Sequence, residues 1–390
     1  MAKMKLVDKL HQKTVLDRLR GIDWAFGSKG PYVVELDPTT ACDLACPGCI
    51  SGALLNQKDP YDKRFSDDRL LQITDELIAG GVKAVILIGG GEPLSHPKVG
   101  QVIDRLGRND VQVGITTNGT FIDRHLEVIA AHSQWTRVSM DSARDETFKY
   151  LRPSLGGKSK FRHVVANMEK LAKVKKGVLG FSFLLRTAAD GMAPHAAGGG
   201  KFGKILQTNV HEIYEGARLA KEIGCDYFEP KPSYDDDHNL VLHSAADMQV
   251  AREQIERARE LEDDDFHILE SINLEAALTR EPIGQQAKGY KTCPVAEMRT
   301  LVTPSGVYVC PYFRGREDMK LGDLREQTLH EMWSGSRRKA VMDRLDPSCH
   351  CSSMHCIRHE TNLELFKIIR RIKDKEPVAA ASPVVEDRFI

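Results

Sequence analysis

Apolar and polar residues along this chain follow two periods, and the periods take turns. Short apolar runs recur at 32–37, Ala84–Ile88 ("AVILI"), Val111–Thr116 ("VQVGIT"), Arg137–Asp141 ("RVSMD"), Val178–Leu185 ("VLGFSFLL") and Asp226–Pro230 ("DYFEP"), and read as strands. Between them, helical spacing marks Asp67–Ala79, His96–Leu106, Asp123–Ala131, Phe161–Ala172 and Val210–Ile223. Six strand–helix units in succession predict a parallel sheet with right-handed crossovers. Six is short of the eight that close a full barrel. The predicted α/β fold is therefore a partial, TIM-like (β/α)6 barrel, with its active groups on the loops after the strands.

Two stretches break the rhythm. Residues 187–209 carry glycines at 191, 198, 199, 200 and 203, the composition of a flexible loop or lid, or of a plain disordered insertion. After residue 270 the alternation stops, and turn-rich sequence holds five of the nine cysteines. The predicted division is an N-terminal extension (1–31), the barrel (32–265), a smaller C-terminal unit (266–374) and a fraying tail (375–390).

With 390 residues the chain has material for one large domain and a smaller one. Lys+Arg and Asp+Glu stand at 55 each, so no basic excess points to nucleic acid and no acidic excess to a solvating tail. The N-terminus is polar and lysine-rich, and no run approaches the roughly 18 apolar residues of a membrane span. A cytoplasmic location follows, with neither nucleic acid nor membrane as partner. In a reducing compartment clustered cysteines favour metal or redox chemistry over disulfides.

Three cysteines crowd one loop after the first strand: Cys42, Cys46 and Cys49, spaced C-x3-C-x2-C. A structural zinc site closes with four ligands, and an iron–sulfur cube normally uses four thiolates. A cube held by three leaves one iron open, as catalysis requires. At this position the triplet resembles the hallmark of radical S-adenosylmethionine (radical SAM) enzymes. "GGGEP" (Gly89–Pro93), "TTNG" (Thr116–Gly119), "VSMD" (Val138–Asp141) and "SFLLR" (Ser182–Arg186) end the next four strands, in the order of that family's motifs. One departure is Gly48, where the family usually has an aromatic before the third cysteine.

The resemblance implies a [4Fe–4S] cluster on Cys42, Cys46 and Cys49 that chelates S-adenosyl-L-methionine. It implies the methionine ammonium against the backbone of Gly89, Gly90 and Gly91 with Glu92 assisting, further contacts at Thr117 and Asn118, the ribose near Ser139 and Asp141, and the carboxylate on Ser182 and Arg186. Reductive cleavage would give a 5′-deoxyadenosyl radical that takes a substrate hydrogen, with flavodoxin or ferredoxin as electron donor.

The C-terminal region resembles the SPASM/twitch extension of a subgroup of that family. Cys293 and Cys310 flank a hairpin with Gly306 at its turn, Leu321–Leu324 and Trp333 match the middle segment, and Cys349, Cys351 and Cys356 supply the end. Five thiols hold one cube with one to spare, which implies the twitch form with one auxiliary [4Fe–4S] cluster. The spacings C-x-C and C-x4-C depart from the family's pattern and leave the spare thiol open. His350, His355 and His359 are alternative ligands, and zinc is an alternative metal.

Past the sixth strand, Lys231, Ser233, Tyr234, Asp235–Asp237 and His238 face the predicted pocket, with Lys231 and Tyr234 as candidate catalytic groups. Cys225 is a core residue or, as in epimerising relatives, a thiol that returns hydrogen to a substrate radical. The resemblance implies a small-molecule substrate, with oxidation of a carbinol carbon of a sugar or aminocyclitol in antibiotic biosynthesis as the leading reading. Epimerisation, dehydration and peptide maturation are the rivals within this chemistry, and a non-catalytic iron–sulfur or zinc protein is the rival outside it.

Overall fold

The computed structural model describes all residues except 1–5, 25–26, 48, 50, 52–62, 188–207, 235–237, 239, 242, 280–287, 353 and 382–386. The glycine-rich 191–203 stretch, Gly48 and the Asp235–Asp237 run thus lie outside the described residues.

Strands β1 (Val33–Leu36), β2 (Ala84–Leu87), β3 (Gln112–Thr117), β4 (Ser133–Ser139), β5 (Val178–Leu184) and β6 (Tyr227–Lys231) are parallel neighbours in chain order, as the periodicity predicted. Their helices carry ordinary punctuation. Ser66 caps the helix Asp67–Ala79 by accepting from the Arg69 N–H, while Leu70, Ile73 and Leu77 turn inward. Gly224, at φ +91°, ends the helix Ile213–Ile223 in the left-handed conformation that glycine tolerates.

The sheet does not stop at six strands. A two-residue β7 (His267–Ile268) extends it beyond β6. At the other side β8 (Arg299–Thr303) pairs parallel with β1, in the register Val33↔Arg299, and β9 (Gly306–Tyr308) and β10 (Lys320–Gly322) follow antiparallel. The result is one ten-stranded sheet, β10-β9-β8-β1-β2-β3-β4-β5-β6-β7. The physical reason is edge satisfaction. Every residue of β1 is buried, and a buried strand cannot leave a row of backbone donors and acceptors unpaired. The cysteine-rich C-terminal unit is therefore sewn onto the barrel through its own hairpin.

Side-chain alternation sorts two cores. Val34, Leu36, Val85 and Leu87 join the helices in one; Val33, Ala84 and Ile86 face the other, with Leu16 and Leu19 of the helix Lys13–Arg20 and Leu365 and Ile368 of the helix His359–Lys373. The second core also takes in Phe389 and Ile390, so the expected fraying tail is corrected at its last residues. Phe389 meets Trp135 edge-on at 5.3 Å, the Arg388 N–H donates to Gln112 at 2.8 Å, and Arg299 donates to the Ile390 carbonyl at 2.7 Å. Apolar residues at the end of a polar segment gain by covering the sheet's concave face. Among the described residues no helix is long and apolar enough to cross a membrane.

Candidate active site at the strand ends

The loop after β1 is pinned before its cysteines can do anything. Asp37 donates its N–H to Val302 of β8 at 2.8 Å and receives a salt bridge from Arg314. Thr40 donates its N–H to Lys63, and Ala45 donates to Pro153. Asp43 accepts from Asn118 at 3.0 Å, from Thr120 at 3.1 Å and from Lys160 at 2.7 Å. Cys42, Cys46 and Cys49 are half-buried on this scaffold, with neither a disulfide nor one another's sulfur as partner. The thiol of Cys42 accepts from the Leu44 N–H at 3.5 Å and faces the Asn118 amide at 3.8 Å. Burial pushes all three thiols up, Cys46 to about 12, because a thiolate alone is poorly solvated there. The guanidiniums of Arg152 and Arg186 oppose this at Cys46 and Cys49. Three thiols held beside two cations fit a group that binds thiolates and is anionic once bound.

Gly91 and Glu92 brace the loop from β2. A Cβ on Gly91 would collide with the backbone of Thr40 and Ala41, so no larger residue lets the chains pass. Glu92 donates its N–H to Ala41 at 2.8 Å. Its carboxylate accepts from the Leu94 N–H at 3.0 Å, the Thr117 hydroxyl at 2.6 Å and the Asn118 N–H at 2.7 Å. Burial, the leading influence, still pushes the acid up to about 7 against these three donors. Glu92 is thus the cross-brace of β1, β2 and β3 ends, a task its own chain fills. Replacing it with alanine orphans three donors in a dry site, each costing ~1–3 kcal/mol. Anaerobic denaturant unfolding of Glu92→Ala should therefore show a loss of about 3 kcal/mol or more. A loss under about 0.5 kcal/mol would remove the brace assignment.

Later strand ends complete the mouth. Ser139 and Ser182 stand opposite each other in register on β4 and β5. Asp141, at φ +56°, accepts from the Leu184 N–H at 2.8 Å and from Arg152 Nε at 3.0 Å. Arg186 donates its N–H to the Asn209 side chain at 2.8 Å and its guanidinium to the Pro47 carbonyl at 3.3 Å, which sets it over the cysteine loop. Lys231 ends β6, its ammonium drawn down to about 8 chiefly by burial. Arg152 and Asp43 were not anticipated from sequence. Asp43 lies inside the triplet, where only the cysteines carried a signal, and Arg152 sits in no strand-end motif: only the chain's return past Pro153 brings it to the thiols.

Cys225 keeps its core reading, and its alternative as a hydrogen-returning catalytic thiol is corrected. It precedes β6, at the end opposite the cysteine loop, and is buried in the outer core with Ile223 and Phe228. A parallel strand carries its two ends to opposite faces of the barrel, so this thiol cannot reach a substrate at the mouth. Tyr234 bonds Asn273 at 3.2 Å and lies within the electrostatic reach of Cys356, which turns it toward the second cysteine field. Ser233 is committed to the Leu185 carbonyl. His238 lies edge-on to Tyr312 at 4.7 Å.

That second field gathers four thiols. Cys293, Cys310, Cys351 and Cys356 act on one another electrostatically, each is raised by burial, and Cys293 reaches about 11 and Cys351 about 12. Asn362 donates to the Cys293 sulfur at 3.4 Å, and Lys288 donates to the Met354 carbonyl, holding the last loop in place. Cys349 is exposed, with the Ser348 hydroxyl 3.8 Å away as its neighbour. His350, His355 and His359 each have a ring nitrogen engaged, by the Asp346 backbone, the Leu240 N–H and the Tyr290 hydroxyl respectively. Among the described residues no three His, Cys, Asp or Glu side chains converge on one ion-sized point. A cube spreads its ligands wider than a single ion does, and four thiols around a buried space suit it.

The two fields are linked through contacts at their margins. Asp37, leading into the first, is bridged to Arg314, which follows Cys310 of the second. The His355 N–H donates to His238 in the loop after β6 at 3.1 Å.

A family model described as the Radical SAM superfamily matches residues 36–197, and one described as SPASM, an iron–sulfur cluster-binding domain, matches residues 293–356. The chain is similar to mycofactocin maturase MftC of Mycolicibacterium smegmatis, 26% identical over 291 residues, covering 73% of this chain and 66% of the relative, just under two thirds of its length. It is also similar to an AdoMet-dependent heme synthase of Methanosarcina barkeri, 25% identical over 329 residues, covering 79% of this chain and 84% of the relative. In fold it is similar to Streptococcus suis SuiB bound to precursor peptide SuiA, with TM-score 0.59 and 16% identity, over 91% of this chain and 76% of that one.

Proposed function

The chain is a radical SAM enzyme carrying an SPASM domain, and on that premise we propose that it carries out a two-electron oxidation at a carbon of a ribosomally made peptide. When bound, a [4Fe–4S] cluster with S-adenosylmethionine supplies a hydrogen-abstracting carbon radical, and an auxiliary cluster supplies a one-electron acceptor. Cys42, Cys46 and Cys49 hold the first cluster, and Cys293, Cys310, Cys351 and Cys356 hold the auxiliary one. Arg186 meets the cofactor carboxylate in a charge-assisted contact. The backbone at Gly89, Gly90 and Gly91 accepts its ammonium. Ser182 joins Arg186 at the carboxylate, Ser139 and Asp141 line the ribose side, and Asn118 steadies the cysteine loop beside it. Lys231, ending β6 with its ammonium drawn down to about 8 chiefly by burial, is the group that takes a proton from the oxidised carbon's substituent in its deprotonated fraction. A second field of four thiols, tied to the first through Asp37 and Arg314, carries this reading, since oxidation needs an electron acceptor within reach of the radical.

The peptide half of the proposal draws on the maturases among the relatives. A second reading, oxidation of a carbinol carbon in a small molecule, draws on the heme synthase, whose match covers the larger share of both chains. Reconstituted enzyme should be incubated in heavy water with peptides encoded beside its gene and, separately, with sugars and aminocyclitols. We expect a peptide product lighter by about 2 mass units with no deuterium at the attacked carbon. The same loss on a sugar alone would move the assignment to the second reading. A deuterated isomer or a loss of about 18 units would replace oxidation with epimerisation or dehydration.

A further inference from the structure

Most buried charges among the described residues are paired, and an exception lies at the seam between the barrel and the second thiol field. Glu35 on β1 takes Arg299 of β8 at 2.6 and 2.9 Å. Glu229 on β6 takes Arg137 of β4 at 3.2 Å, and Asp37 takes Arg314. Arg358, which immediately precedes the helix His359–Lys373, has no ion pair among the described residues. Its Nη1 is buried with no hydrogen-bond partner among them. The groups that feel its charge are Glu35, already bonded to Arg299; Arg299 itself, a like charge; Tyr312; and Cys356. The Arg358 backbone N–H also donates to the Cys356 sulfur.

A guanidinium cannot shed its proton to escape such a place, and leaving a buried cation unpaired is costly. The described residues supply no counter-charge, so a bound group is the natural source of one. Four thiolates around a [4Fe–4S] core carry a net charge of about −2, and about −3 once reduced. Two other cations reach these thiols: Arg316 is paired with Asp318 at 2.6 Å, whereas Lys288, fixed on the Met354 carbonyl, adds a second positive charge.

We propose that Arg358 is the built-in counter-ion of the auxiliary cluster, a positioning residue whose charge sets how readily that cluster accepts an electron. This rests on the four-thiol assignment and not on the identity of the substrate. The reduced cluster is the more negative state, so a cation beside it stabilises reduction. Removing the cation must lower the midpoint potential, while moving the clusters' ligands not at all. Charge, and not the shape of the guanidinium, is the property that matters, so lysine should largely rescue.

Anaerobically reconstituted wild type, Arg358→Lys and Arg358→Gln should be compared by iron content and by redox titration followed by electron paramagnetic resonance. For Arg358→Gln we expect the reduced-to-oxidised ratio of the auxiliary cluster, at fixed potential, to fall at least about tenfold, which for one electron is about 59 mV. The cluster on Cys42, Cys46 and Cys49 should keep its midpoint, and Arg358→Lys should lie near wild type. Loss of the auxiliary cluster in Arg358→Gln with retention in Arg358→Lys also supports the counter-ion. An unmoved auxiliary midpoint at full iron content overturns the proposal. So does a shift of equal size in both variants, which marks a structural role of the guanidinium shape. Peptide or sugar products bear on neither outcome, so this test and that of the oxidation reading fail independently.

Discussion

Replacing Cys42, Cys46 and Cys49 together with alanine should give a protein that folds, binds about four irons where the parent binds about eight, and yields no 5′-deoxyadenosine from S-adenosylmethionine under reducing conditions. The loop's conformation does not depend on its sulfurs. Thr40, Ala45 and Asp43 tie it to Lys63, Pro153, Asn118, Thr120 and Lys160, and Gly91 seats its backbone against β2. What the substitution removes is the donor set beside Arg152 and Arg186. The four remaining irons should stay, since the second thiol field is built by other elements of the chain. Iron and sulfide assays with chromatography of the nucleoside product read both effects. Cleavage above background in the triple variant would mean that the catalytic cluster sits elsewhere.

Cys349→Ser should leave about eight irons, whereas Cys356→Ala or Cys351→Ser should leave about four. Spacing could not choose among the last three cysteines, but their placement can. Cys356 is the hub: its charge is felt at Cys293, Cys310 and Cys351, and Tyr234, Tyr290 and Tyr312 lie within its reach. Cys349, two residues before Cys351, sits exposed in the short helix Pro347–His350, facing away from that hub. The oxidation signature of the auxiliary cluster should disappear with Cys356 and survive the loss of Cys349. A Cys349→Ser protein that loses four irons would put Cys349 into the ligand set in place of Cys351.

The strand-end arrangement also explains how one short motif per strand suffices. In a parallel sheet every strand delivers its C-terminal end to the same face, so Cys42, Glu92, Asn118, Asp141 and Arg186 converge although they are scattered over 145 positions of the chain, 42 to 186. Stability and chemistry share this face. Glu92 accepts from Leu94, Thr117 and Asn118, so the residue that braces the strand ends stands directly beside the glycine backbone of the mouth.

By itself the sequence determined what is local or periodic. Six parallel strands and their helices follow from runs such as "AVILI" and from spacings such as Leu70, Ile73 and Leu77, because burial of one face writes its period into the chain. The triplet of thiols, the glycines of Gly89–Gly91 and the five C-terminal cysteines were legible too, since ligand chemistry restricts residue type at fixed spacing. The tertiary structure alone decided whatever depends on segments distant in sequence. β8 closes onto β1 because a buried edge must be paired, and Phe389 and Ile390 cover the concave face because it would otherwise meet water. Arg152 reaches the cysteine loop, and Cys225 falls at the far end of β6, for reasons of chain path that no motif records. Arg358 is the clearest case. An arginine four residues before Asn362 and two after Cys356 looks like any solvated helix start, and only packing shows its Nη1 buried without a hydrogen-bond partner among the described residues. Periodicity reports which side of an element is dry, whereas pairing of charge across elements is fixed only when the elements meet.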